Sequence, residues 1–64
     1  MVTAQEELLT PDEVAASLKV QPGTVLDWLR AGDIVGFKLG RLWRIRPASV
    51  TAFIAARETK AAHE

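Results

Sequence analysis

At Ile34 the hydrophobic period of the sequence changes, and that change constrains the order of elements the chain can build. Upstream of it, apolar residues recur at helical spacing. With Val25 as origin and about 100° per residue, Leu26, Trp28 and Leu29 gather on one side, opposite Gly23, Thr24, Asp27, Arg30 and Ala31. Downstream, Val35, Phe37 and Leu39 alternate with Gly36 and Lys38. Trp43 and Ile45 then alternate with Leu42, Arg44 and Arg46. The first pattern belongs to an amphipathic helix, the second to half-buried strands.

Stop and start signals divide these patterns into elements. Thr10 suits an N-cap, Pro11 the first helical position, and Glu13 completes a Thr-x-x-Glu capping box. Leu9 and Val14 form a hydrophobic staple, and Val14, Ala15 and Leu18 share one face, so the first helix is predicted over Pro11 to Leu18. Lys19-Val20-Gln21 breaks it, Pro22 opens the second helix, and Gly32 supplies a left-handed C-terminal cap before Asp33. The alternating runs flank Gly40-Arg41 and read as a hairpin. Strand parity places Phe37, Trp43 and Ile45 inward, Lys38, Arg44 and Arg46 outward, and Arg41 at the turn. Pro47 starts a third helix carrying Val50, Phe53, Ile54 and Arg57, whereas Thr59–Glu64 has no apolar anchor and is expected to fray. The expected organisation is a tail over residues 1–7, one domain over 8–57 and a second tail over 58–64. The fold class is α+β, mostly helical.

A chain of 64 residues buries roughly 60% of its unfolded surface in one small core. Little room remains for a ligand pocket of roughly 300–1,000 Å³, so neither a small-molecule substrate nor catalysis is expected. Without cysteine there is no disulfide or thiolate metal site. His63 stands alone, Ser17 and Ser49 lack a partner base, and the Leu39-Gly40-Arg41 turn is not a phosphate loop, so no cofactor or metal is expected. The acids Glu6, Glu7, Asp12 and Glu13 suit a helix start. No apolar run approaches the roughly 20 residues that cross a bilayer, and the first residues lack the pattern of a signal peptide. The expectation is a soluble cytoplasmic protein with no membrane contact.

The formal net charge of zero conceals a segregation. Residues 1–33 carry six acids and two bases, a charge of −4, and residues 34–64 carry six bases and two acids, a charge of +4. From Ile34 to Pro47 there are four bases, Lys38, Arg41, Arg44 and Arg46, and no acid. Such a single-sign stretch concentrates a polyanion, whereas an ordinary solvated strand face intersperses acids. Two short helices joined by a three-residue turn fit either a helix-turn-helix or a plain helical hairpin. A basic hairpin directly after the second helix favours the former, since that is where a wing sits. Trp28 and Trp43 lie beside apolar neighbours and read as core residues. Base-stacking platforms would sit on the basic face.

Leu8-Leu9-Thr10-Pro11-Asp12-Glu13-Val14-Ala15, Val20 to Leu29, Ala31-Gly32-Asp33-Ile34 and Lys38-Leu39-Gly40-Arg41-Leu42-Trp43-Arg44-Ile45 together resemble the excisionase-type branch of the MerR-like winged helix-turn-helix DNA-binding domains. The resemblance covers about Leu8 to Arg57. It implies a recognition helix in the major groove of double-stranded DNA, with Gln21, Pro22, Gly23, Thr24, Asp27 and Arg30 toward the groove. It also implies a wing, bearing Lys38, Arg41, Arg44 and Arg46, at the adjacent minor groove or backbone. Phage excisionases of this type, or recombination directionality factors, bind tandem sites as cooperative copies, bend DNA and favour integrase-mediated excision. The resemblance therefore implies other copies of the chain and an integrase as partners. The shortness of the chain favours that role over a small MerR-like transcriptional regulator. A protein-interaction module using the basic hairpin is the reading from another class. The sequence departs from the family pattern at Gln21, where Ser is common, and at Asp27, a carboxylate that repels phosphate and accepts only from a cytosine amino group. Base readout is accordingly expected to be modest, with the wing carrying affinity.

Overall fold

The start of the first helix is decided by its cap. In the computed structural model, which describes residues 7–62, helix α1 spans Pro11–Leu18. Thr10 Oγ1 accepts from the Glu13 N–H at 3.1 Å, and the Glu13 carboxylate accepts from the Thr10 N–H at 2.9 Å. Two amides that the helix cannot satisfy internally are thereby paired, a gain of about 1 kcal/mol for the cap alone. The helix ends in a Schellman motif. Val20 N–H reaches the Ala15 carbonyl at 2.9 Å and Lys19 N–H that of Ala16 at 3.3 Å. Lys19 takes the left-handed conformation, φ 61°, that the motif demands.

Helix α2, Pro22–Ala31, ends in the same way. Gly32, at φ 85°, donates to Leu29 at 3.2 Å, and Asp33 donates to Trp28 at 2.9 Å. Val14 and Ala15 of α1 are buried in one cluster with Val25 and Leu29 of α2. Ile34, Ile45, Val50 and Phe53 complete this core. Each such side chain contributes roughly 1.5–3 kcal/mol on burial. Trp28 and Trp43 pack against the cluster, as read from the sequence, and the Trp28 ring lies 4.6 Å from that of Phe53.

The hairpin comprises β1, Phe37–Leu39, and β2, Leu42–Arg44, paired antiparallel with Phe37 opposite Arg44, Lys38 opposite Trp43 and Leu39 opposite Leu42. Gly40, at φ 69°, is the first residue of the two-residue loop, the place where a type II′ turn requires glycine. Beyond β2 the main chain of Ile45 exchanges two hydrogen bonds with Leu9, at 2.8 and 2.9 Å. The segment preceding α1 thus pairs with the end of the hairpin.

This register corrects the strand parity expected from sequence. Residues directly opposite share a face, so Lys38 lies with Trp43, and Arg44 lies with Phe37. Val35 and Leu39, which alternate in phase with Phe37, are exposed. The reason is Gly36. A Cβ there would fall 2.5 Å from Leu29 Cδ2, 3.1 Å from the Arg44 carbonyl and 3.3 Å from Ile45 Cγ1. The core-facing position of the strand is therefore a glycine, and its apolar neighbours are turned outward. Helix α3, Pro47–Ala62, buries Val50 and Phe53. Its backbone continues through the stretch expected to fray, as suits the helix formers Glu58, Lys60, Ala61 and Ala62. Residues 1–6, 63 and 64, which include most of the expected N-terminal tail and His63, lie outside the described residues.

Candidate nucleic-acid interface

The outward side of α2 holds the six residues read as groove-facing. Gln21, Pro22, Gly23, Asp27 and Arg30 are exposed, and Thr24 is half-buried, its N–H donating to the Gln21 carbonyl at 3.0 Å. Gln21 occupies the N-cap position without capping through its side chain, unlike Thr10 on α1. Pro22 has no N–H and the Thr24 N–H is taken by Gln21, so in the first three positions of α2 the Gly23 amide is the one left for an anionic neighbour at the positive end of the helix dipole.

Asp27 does not stand alone as the sequence suggested. Arg30 Nη1 donates to Asp27 Oδ1 at 3.5 Å, and both side chains are largely exposed. The pair contributes little to stability, about 0.2–1 kcal/mol at most. It does alter the electrostatics. The outward face of α2 presents a dipole in place of an isolated carboxylate, and the guanidinium is tethered one helical turn from the acid.

On the hairpin, each cation has a different setting. Arg41 sits exposed at the turn. Arg44 is half-buried and donates from Nη1 to the Trp43 carbonyl at 2.7 Å. Lys38 Nζ lies 5.4 Å from the Trp43 ring centroid, and the Arg46 guanidinium 5.8 Å from that of Phe37. Cation–π contacts at this range hold a side chain against an aromatic face. Lys38 and Arg46 thus lie on opposite faces of the hairpin, a distribution the parity argument did not foresee.

One cleft joins the two regions. It has a volume of about 410 Å³ and lies among the first turn of α1, the start of α2 and β2. Pro22 and Leu26 border it on one side, Arg41 to Arg44 on another, and Thr10 to Asp12 close it. Of the residues read from sequence, the cleft brings together Pro22, Arg41 and Arg44. Lys38, Arg46, Asp27 and Arg30 lie outside it. Leu42 and the start of α1 were missed, because contacts between distant segments leave no periodic trace.

Arg57 is a further addition. It lies 4.8 Å from the Phe53 ring, 5.7 Å from that of Trp28 and 4.0 Å from the Asp33 carboxylate, and so covers the α2–α3 contact outside the cleft. Among the described residues, no helix is long and apolar enough to cross a membrane. The three helices with a two-stranded antiparallel hairpin form a winged helix-turn-helix, with α1 and α2 as the motif and β1–β2 as the wing. No curated protein matches the sequence. The helix-turn-helix domain family matches residues 8–58, which is most of the chain and every element from the start of α1 to the body of α3, and the protein belongs to that family of sequence-specific binders of double-stranded DNA.

Proposed function

We propose that the protein is an excisionase-type architectural factor, which places α2 in a major groove and its wing against the neighbouring backbone or minor groove. The observation that carries this reading is the shared cleft. Arg41 and Arg44 of the wing and Pro22 at the α2 N-terminus border one concave surface, so a single phosphate strand can meet both. The run Leu39-Gly40-Arg41-Leu42-Trp43-Arg44-Ile45 supports the excisionase branch through its resemblance to that family. In this role copies of the chain fill tandem sites cooperatively, bend the DNA and direct an integrase toward excision, without catalysis by the chain itself and without a cofactor.

Contacts to phosphate set affinity and register, and contacts to base edges set preference. The wing residues Lys38, Arg41, Arg44 and Arg46 supply the first kind. Gln21, Gly23, Thr24, Asp27 and Arg30 supply the second, with Asp27 orienting the Arg30 fork toward a guanine edge. Footprinting on attachment-site DNA from the genome that encodes the chain tests the role. A ladder of protected sites that fill together is the expected result. Protection of one isolated promoter site would replace this reading with that of a transcriptional regulator.

Duplex affinity should also fall with salt by several units in log–log slope, about −0.9 for each phosphate neutralised. An affinity for acidic protein in place of duplex would instead support an interaction module.

A further inference from the structure

The tip of the wing exposes apolar surface. Leu39 and Leu42 are 54% and 57% exposed, sit directly opposite one another in the ladder, and close the Gly40-Arg41 loop. They belong to no core cluster. Leucine left this exposed at a hairpin tip gives little packing and loses the solubility that a polar residue would confer, so the fold accounts for little of the pair.

Its surroundings indicate what it meets. Arg41 lies between the two leucines in the loop, Arg44 follows on the same face, and Arg46 lies over Phe37 just behind. No acid occurs from Ile34 to Pro47. The hairpin tip is therefore an apolar ridge flanked by the hairpin's own cations, with Asp12 of α1 as the acid across the cleft. Its complement is an apolar strip flanked by anions, which describes the minor groove of a duplex, with sugar walls and base edges between two rows of phosphate. A groove about 6 Å wide admits a hairpin tip only if it opens, and side chains such as leucine open it by entering a base step.

We propose that Leu39 and Leu42 form a wedge that enters a minor groove and unstacks one base step, while Arg41 and Arg44 hold the flanking phosphates. The inference rests on the DNA-binding reading and assigns to the tip a task distinct from phosphate attachment. It also predicts a preference for steps that unstack easily, of which TA is the extreme and the A-tract the opposite.

The test uses the full chain and two duplexes of equal length. One has a central TA step with 2-aminopurine beside it, and the other has an uninterrupted A-tract at its centre carrying the same probe. The native chain is expected to raise 2-aminopurine fluorescence at the TA step and to bind that duplex more tightly. The double substitution Leu39→Ala, Leu42→Ala is expected to bind both duplexes with the native salt slope, to lose the fluorescence rise and to lose the preference. Leu39→Met with Leu42→Met should restore both. Because the two side chains are exposed, the alanine variant should melt with the native chain, and each single substitution provides a check if it does not.

Binding by the native chain without a fluorescence rise, or a rise that survives the double alanine substitution, would overturn the wedge and leave DNA binding intact. Native DNA signals in that variant together with weaker self-association in sedimentation would make the tip a contact between copies. Absence of duplex binding at low salt would overturn the DNA-binding reading and the wedge with it.

Discussion

The outward face of α2 and the wing both present charge, but they present it differently. On α2 the only acid and the only base pair with one another at 3.5 Å, leaving a face that is neutral overall. The wing carries four cations and no acid of its own from Ile34 to Pro47, with one cation bonded to a backbone carbonyl and two resting on aromatic rings. A neutral helix face attracts little from a distance, and its contribution comes at contact range through hydrogen-bond geometry. A basic hairpin attracts any polyanion and discriminates little among them. In the proposed role, the contrast divides binding into a part that any duplex satisfies and a part that a particular sequence must satisfy.

Substitutions can break this comparison, and the largest effect is expected where both regions depend on one residue. Ile45 is fully buried and its main chain pairs with Leu9. Ile45→Ala should cost roughly 2–5 kcal/mol in denaturant unfolding, enough to abolish wing and helix together in a domain this small. Gly36→Ala comes next, at roughly 1–3 kcal/mol, because the added carbon meets the Arg44 carbonyl and two side chains. A variant that melts like the native chain would show that the wing shifts freely against Leu29, contrary to the packing described.

The next effects concern binding. Arg41→Ala should weaken attachment to all duplexes alike and reduce the salt slope by about one unit, measured by fluorescence anisotropy across a salt series. Arg30→Ala should leave the general salt response nearly unchanged and alter the ranking among sequences in a binding-site selection. If both variants behaved alike, the division between the two regions would fail. The smallest expected effect lies at the turn between the helices. Lys19 holds φ 61°, a conformation costing a residue with a side chain about 1 kcal/mol. Lys19→Gly relieves that cost and loses part of the gain through unfolded-state entropy, so a rise in thermal midpoint of about 2–4 °C, the equivalent of about 0.5 kcal/mol, is expected.

Much of the fold was legible because it is written in local chemistry. The capping box at Thr10 and Glu13, the proline at Pro22 and the glycine at Gly32 each act within a few residues, and the bounds of α1 and α2 follow from them. The loop at Gly40 was legible for the same reason. The faces of the hairpin were not. Alternation of Val35, Phe37 and Leu39 suggested a buried series, yet the position against Leu29 has space only for a hydrogen, and Gly36 takes it. A pattern of apolar residues cannot register a slot defined by what it excludes. At the candidate site the residue types were legible, whereas the Asp27–Arg30 pairing and the closure of the cleft by Thr10 to Asp12 depend on side-chain direction and on contacts across the fold.

The two hydrogen bonds between Leu9 and Ile45 have a consequence for the kind of site the protein can occupy. They tie the base of the wing to the residue just before α1, whose cap is itself fixed by Thr10 and Glu13. The wing and the motif helices therefore behave as the jaws of a set calliper. With one opening available, a helix and wing that engage a duplex as proposed do so at one angular offset. Inserting a single base pair between their two contact points lengthens the path by about 3.4 Å and rotates it by roughly a tenth of a turn, which a rigid jaw cannot follow. Spacing within the site should then be as strictly enforced as the bases themselves.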